Sequence, residues 1–123
     1  MARQDDAPLP TLPPPDVVES IADAMFALSS TSRVNILMLL RERPCTVGEL
    51  TDATGMEQSA VSHQLRVLRH LGFVVGRREG RRVLYDLHDD HVAALLEQAI
   101  SHVEHVQLGL AGRGVEVPEA MPA

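Results

Sequence analysis

The tightest constraint on this chain lies between Thr46 and Leu87, read TVGELTDATGMEQSAVSHQLRVLRHLGFVVGRREGRRVLYDL. Thr46 and Glu49 stand at capping-box spacing, so a short helix should open there and carry Val47, Leu50 and Ala53 inward. Gly55 is placed to end it in the left-handed conformation. A second helix follows from about Gln58 to His70, and its faces separate cleanly. At 100° per residue, Val61, Leu65 and Leu68 fall within about 60° of one another, whereas Ser59, Ser62, His63 and Arg66 fall within about 100° on the other side. The first set packs and the second is presented outward. Two short helices joined by a tight, Gly-containing turn describe a helix-turn-helix. A polar helix face alone would mean little, but the segment that follows supports nucleic-acid reading. Phe73 to Arg77 and Arg82 to Leu87 are β-rich runs around Glu79 and Gly80, a turn pair able to supply positive φ. Arg77, Arg78, Arg81 and Arg82 flank the tip. A basic β-tip beside a recognition helix is a wing, suited to backbone or minor-groove contact. The expected fold is mainly α with a small β-hairpin, a winged helix-turn-helix.

The rest of the chain fits around that unit. Residues 1–15 hold five of the eight prolines and read as a disordered arm. A helix should begin at Asp16, where Asp16 and Glu19 fit a capping box, and run to about Leu28 with Val18, Ile21, Ala22, Met25 and Phe26 on one apolar face. The next helix should start after Ser30 or Thr31 and run to about Arg43. Its Val34, Ile36, Leu37, Leu39 and Leu40 are dense enough for a central core helix, and Pro44 stops it. Residues 16–111 form the expected DNA-binding and dimerisation domain, and 112–123 a disordered tail.

The last helix, Asp89 to His105, carries Asp89 and His91 at its start and His102 and His105 near its end. His91 and His102 differ by only about 20° around the helix axis, yet lie roughly 16 Å apart along it. Nitrogen and oxygen ligands sit about 2.0 to 2.2 Å from a zinc ion, so one copy of the helix cannot close a site. Two copies packed antiparallel about a twofold axis would bring Asp89 and His91 of one to His102 and His105 of the other, twice. Histidines at i and i+3 also occur on solvent-facing or packing surfaces; four ligand types on one face favour metal. Asp89 is also the expected N-cap, using one oxygen on backbone N–H groups and leaving the second free for a metal. Val92, Leu95, Leu96, Ala99, Ile100 and Val103 supply the packing face, and Gly109, Gly112 and Gly114 the end. His70 suits a helix C-terminus, and His88, just before the helix, is a spare fifth ligand.

The net charge of −6 argues against nucleic acid until its distribution is considered. Residues 58–85 hold six arginines against Glu79 alone, a local +5 that leaves −11 elsewhere. Every basic residue is arginine, which suits bidentate phosphate and guanine contacts, although a lysine-poor genome gives the same bias. Only Phe26, Phe73 and Tyr85 are aromatic, so the core must be aliphatic. The single Cys45 excludes an intrachain disulfide framework. No apolar run is long enough to span a bilayer, and the start lacks a signal pattern, so a cytoplasmic protein is expected.

Over about residues 18–108 the chain resembles the ArsR/SmtB family of winged-helix metal sensors. The resemblance rests on VGELTDATGMEQSAVSHQLRVLRHLGFV, on GRRVLYDL, and on the spacing D-x-H-x10-H-x2-H met by Asp89, His91, His102 and His105. It implies a homodimer joined by its first and last helices, with intersubunit metal sites between the last helices. It also implies that Gln58, Ser59, Ser62 and His63 meet DNA, with Arg66 and the wing arginines beside them. Other members bind metal through a cysteine pair before the recognition helix. Here Thr46 and Gly48 stand at those places and Cys45 is one out of register, so a thiolate site is absent and Cys45 is a small buried residue. GMEQSAVSHQLRVLR and AISHVEHVQLGL are most similar to the family's nickel and cobalt sensors. Some of those add histidines, whereas this chain has Gln107, a His-free tail and a start of Ala2, Arg3, Gln4. Three imidazoles and a carboxylate suit tetrahedral zinc, while nickel would draw on a further group such as Glu104 or water.

The resulting expectation is a metal-responsive, DNA-binding transcriptional regulator and not an enzyme, taking nickel first and zinc or cobalt next. Its partners are double-stranded operator DNA and a second copy of itself. The alternatives are a metal-independent winged-helix regulator, its histidines serving packing or pH response, and an activator acting with a partner protein. A metallohydrolase would need an open coordination position, a base and a substrate cleft, which so short a chain does not advertise.

Overall fold

The computed structural model describes the backbone of residues 7–112 and the side chains of residues 7–109. Its elements are α1 (Pro15–Phe26), α2 (Thr31–Glu42), α3 (Val47–Thr54), α4 (Gln58–His70), β1 (Val74–Glu79), β2 (Arg82–Leu87) and α5 (Asp90–Gly112). Residues 1–6 of the expected arm and 113–123 of the expected tail lie outside the described residues.

α2 is the central helix because its apolar face is met from every side. Ile36, Leu37 and Leu40 pack with Leu50 of α3, Val61, Leu65 and Leu68 of α4, Phe73 and Val74 at the entry to the hairpin, and Val92 and Leu96 of α5. At about 25 cal/mol per Å² of apolar surface, aliphatic burial of this kind supplies most of the stabilisation. Ser30 caps α2 by accepting a hydrogen bond from the Arg33 N–H. The chain leaves α2 before Pro44, where Cys45 pairs through both backbone groups with Tyr85 of β2 (2.9 and 2.7 Å) and so ties α3 to the hairpin.

α3 has the full capping box: the Glu49 N–H donates to Thr46 Oγ1 and the Thr46 N–H donates to Glu49 Oε1. Gly55 ends it with φ of +73°, a conformation that a side chain would strain. β1 and β2 pair antiparallel in the register Glu79↔Arg82 to Val74↔Leu87. The turn residues are therefore Gly80 and Arg81, not Glu79 and Gly80, with Gly80 at φ +66°. Glu79 remains in the ladder, which lengthens the wing.

Two sequence expectations are corrected at α1. The helix starts at Pro15, whose fixed φ and missing N–H suit the first helical position. No side chain caps that end, so the Asp16–Glu19 box does not form; Ser20 Oγ instead donates to the Asp16 carbonyl. The apolar face of α1 is amphipathic as expected, but within one protomer it is largely uncovered, with Ile21 at 51% and Phe26 at 52% exposure. The far end of α5 is similar: Val103, expected on the packing face, is 52% exposed, and Leu108 is 73% exposed. An exposed apolar area of this extent marks an interaction surface.

One charged side chain crosses the interior. Arg33 is 8% exposed. Its Nη2 donates to the Phe26 carbonyl and to Ser29 Oγ, its Nη1 donates to Gln64 Oε1 of α4, and the guanidinium lies 4.3 Å from the Phe26 ring centroid. The end of α1, the first turn of α2 and the middle of α4 are thus held by one planar fork.

Candidate functional site

α4 is aimed outward by its buried stripe. Val61, Leu65 and Leu68 are the buried residues of this helix. That orientation leaves Gln58, Ser59, His63 and Arg66 exposed and Ser62 half-buried, all on the opposite side. The helix N-terminus carries Gln58 and Ser59, where free backbone N–H groups and the helix dipole favour phosphate. The hairpin projects from the C-terminal end of α4 through Gly72 and Phe73, and Arg77, Arg78, Arg81 and Arg82 are all exposed on it. Among the described residues none of these four is in an ion pair, so their positive charge is available to a polyanion. All nine residues expected to meet DNA therefore belong to the outward side of α4 or to the wing.

At the other pole, Asp89 caps α5. Its Oδ1 accepts from the His91 N–H (3.0 Å) and the Val92 N–H (3.3 Å). The second oxygen is engaged once: Oδ2 is 3.1 Å from His88 Nδ1, which leaves it a further acceptor position. The His88 hydrogen bond foremost, with those from the Val92 and His91 backbone, holds the Asp89 carboxyl below the usual carboxylate range. His91 Nδ1 lies 3.6 Å from Asp89 Oδ1, and its side chain is 96% exposed. His102 and His105 are exposed further along α5. Their distance from Asp89 and His91 is set by the helix rise, so no group of three or more His, Cys, Asp or Glu residues closes a metal site among the described residues. The donor types fit a divalent transition metal, in that a carboxylate already ionised and solvent-facing imidazoles are the forms that ligate. What one protomer lacks is convergence.

Cys45 is buried, donates from Sγ to the Arg43 carbonyl, and has a thiol pushed up chiefly by its burial, so it is a packing residue and a poor thiolate. Two residues that sequence reasoning missed, Arg33 and Gln64, hold α4 from behind. An arginine at the head of the dense apolar run of α2 was the available signal.

Two poles on one small scaffold, a helix-turn-helix with a basic wing and a helix of exposed ligand-type residues, define a winged-helix DNA-binding regulator. Residues 30–75 match the family described as bacterial regulatory protein, arsR family. The chain is 57% identical over 93 residues to the HTH-type transcriptional regulator NmtR of Mycobacterium tuberculosis, covering 76% of this chain and 78% of that protein. The solution structure of apo-NmtR superposes with a TM-score of 0.69 at 43% identity, covering 100% of this chain and 97% of that one. A homodimeric winged helix-turn-helix DNA-binding domain from Mycobacterium bovis, described as a possible ArsR-family transcriptional regulator, superposes with a TM-score of 0.71 at 30% identity over 73% of this chain and 83% of that one. The chain belongs to the ArsR family of bacterial transcriptional regulators. Relatives named as transcriptional regulators set the metallohydrolase reading aside, and among the described residues no helix is long and apolar enough to cross a membrane.

Proposed function

We propose that this chain is a metal-responsive regulator that binds operator DNA as a homodimer in the cytoplasm and is switched by a divalent metal held between its two α5 helices. Nickel is the first candidate, with zinc and cobalt next. The observation that carries the reading is the division of Asp89 and His91, at the start of α5, from His102 and His105, about three to four turns further along it, all exposed and unable to meet within a protomer. The uncovered apolar faces of α1 and α5 support the dimer that would bring them together. Beside them runs a groove of about 460 Å³ lined by Leu28, Val34, Met38, Leu96, Ile100 and Val103, which a second copy would fill.

In this reading residues 16–111 are the working domain. Gln58, Ser59, Ser62, His63 and Arg66 enter the major groove, and Arg77, Arg78, Arg81 and Arg82 hold the flanking backbone. A dimer reads two half-sites when its recognition helices stand about 34 Å apart, one turn of DNA. The α5 pair lies at the dimer axis, so a metal there supplies a crosslink that favours one spacing. Asp89, His91, His102 and His105 do the holding. The coupling between the two ligands is of order 1 to 3 kcal/mol and reciprocal: whatever metal does to DNA affinity, DNA must do to metal affinity.

Calorimetric titration of the apo dimer with nickel, cobalt and zinc, each with and without operator DNA, tests this. The expected result is about one metal per protomer, lost in His102→Ala, with an affinity altered by DNA. Metal affinity and metal-dependent DNA binding that survive His102→Ala and His105→Ala would overturn the α5 site, and no saturable binding by wild type would leave a metal-independent regulator.

A further inference from the structure

We infer that His88 is a positioning residue of the α5 metal site, fixing the Asp89 carboxylate so that one defined oxygen lone pair faces the metal. The inference rests on the metal site proposed above and adds to it a residue outside the four ligands. Its basis is how the Asp89 oxygens are committed. An ionised carboxylate has about four acceptor positions. Oδ1 uses two of them on the backbone N–H groups of His91 and Val92, at 3.0 and 3.3 Å. Oδ2 uses one on His88 Nδ1 at 3.1 Å. One position remains, on Oδ2, so Asp89 is built for monodentate ligation through that oxygen while it continues to cap α5.

His88 is itself held. Its backbone N–H donates to the Phe73 carbonyl at 2.8 Å, and the Phe73 N–H donates to the Leu68 carbonyl of α4 at 2.9 Å. Phe73 is 5% exposed, so this anchor belongs to the core. The backbone that carries the imidazole orienting Asp89 is therefore tied to the body that carries the recognition helix, with the ring itself half-exposed, whereas His91, His102 and His105 ride on α5 alone. The ring turns Nδ1 to the carboxylate, which leaves Nε2 facing away across the ring. That arrangement suits an outer hydrogen-bond partner and not a fifth ligand.

Cobalt(II) titration of the full-length dimer, followed by its visible ligand-field absorption, tests the assignment with four proteins: wild type, His88→Ala, His88→Asn and His102→Ala. Asparagine keeps a donor near the Nδ1 position and removes Nε2. Loss of an outer-shell partner should lower cobalt affinity in His88→Ala by about 10- to 100-fold, with His88→Asn within about threefold of wild type. Both His88 variants should keep the wild-type band shape, because the inner ligands are unchanged. Wild-type affinity in His88→Ala, with binding lost in His102→Ala, would overturn the role of His88 and leave the metal site standing. An equal loss in both His88 variants with an altered spectrum would overturn it in favour of direct ligation through Nε2. No saturable cobalt binding by wild type would overturn the metal site and this inference together.

Discussion

Glu49 shows how much one side chain in this fold does. It completes the α3 capping box and accepts from Arg43 Nη2 at 2.7 Å. The Arg43 hydrogen bond foremost, then that from the Thr46 backbone, lowers its carboxyl from 4.5 to about 2. Because the folded value is depressed, the associated stability is fully present above about pH 4.5 and is lost as pH falls toward 2. Urea unfolding between those limits should show stability falling with pH in wild type and a flatter profile in Glu49→Gln. Thr46→Ala removes the other half of the box and should cost about 1 kcal/mol. The box was legible because both partners are three residues apart in sequence. Arg33 was not, because its acceptors, Phe26, Ser29 and Gln64, come together only after three helices pack. Arg33→Met keeps the stem but strands those acceptors in a half-buried setting, and chemical denaturation should register a loss of roughly 1 to 3 kcal/mol.

At the scale of elements, the proposed function divides the work of binding DNA between α4 and the wing. In the proposed reading, residues on α4 reach base edges and the arginines at the hairpin tip hold phosphates. Arg81→Ala or Arg82→Ala should weaken binding evenly across sequences and reduce the salt slope by about 0.9 for each phosphate left without its arginine. Gln58→Ala or Ser62→Ala should instead lose about 1 to 3 kcal/mol of discrimination at one base pair. Fluorescence anisotropy over a salt series, on an operator and its single-base variants, separates the two patterns; a sequence-selective loss from the wing variants would reverse the assignment. α2, α3 and α4 were legible because their apolar spacing, caps and breakers agree, down to the Gln58 and His70 limits of α4. The hairpin turn was misplaced by one residue because Glu79-Gly80 and Gly80-Arg81 both offer positive φ, and only cross-strand register decides between them. The α1 start was missed because an Asp-x-x-Glu pattern competed with a proline at the first helical position, and proline prevailed.

The whole molecule is organised by what one copy leaves uncovered. α1 has no buried residue, and the apolar ends of α1 and α5 are exposed together. A charge placed in that face, Ile21→Asp, should raise the dimer dissociation constant by about tenfold or more, equivalent to about 1.4 kcal/mol, as measured by sedimentation equilibrium. DNA affinity should fall in parallel. The helix that carries the candidate ligands was legible as a spacing, but its closure was not, since an N-cap aspartate and histidines spread along one helix can only be joined by a partner that the sequence does not display. That closure is the central claim, and mixed dimers test it most directly. Asp89→Ala/His91→Ala protein and His102→Ala/His105→Ala protein should each bind no metal alone. Co-refolded in equal amounts, half of the dimers are mixed, and each mixed dimer regains one complete site and one empty one. Nickel binding should therefore reappear at about a quarter of the wild-type capacity. No recovery on mixing, or full binding by either parent, would contradict a site shared between two copies of α5.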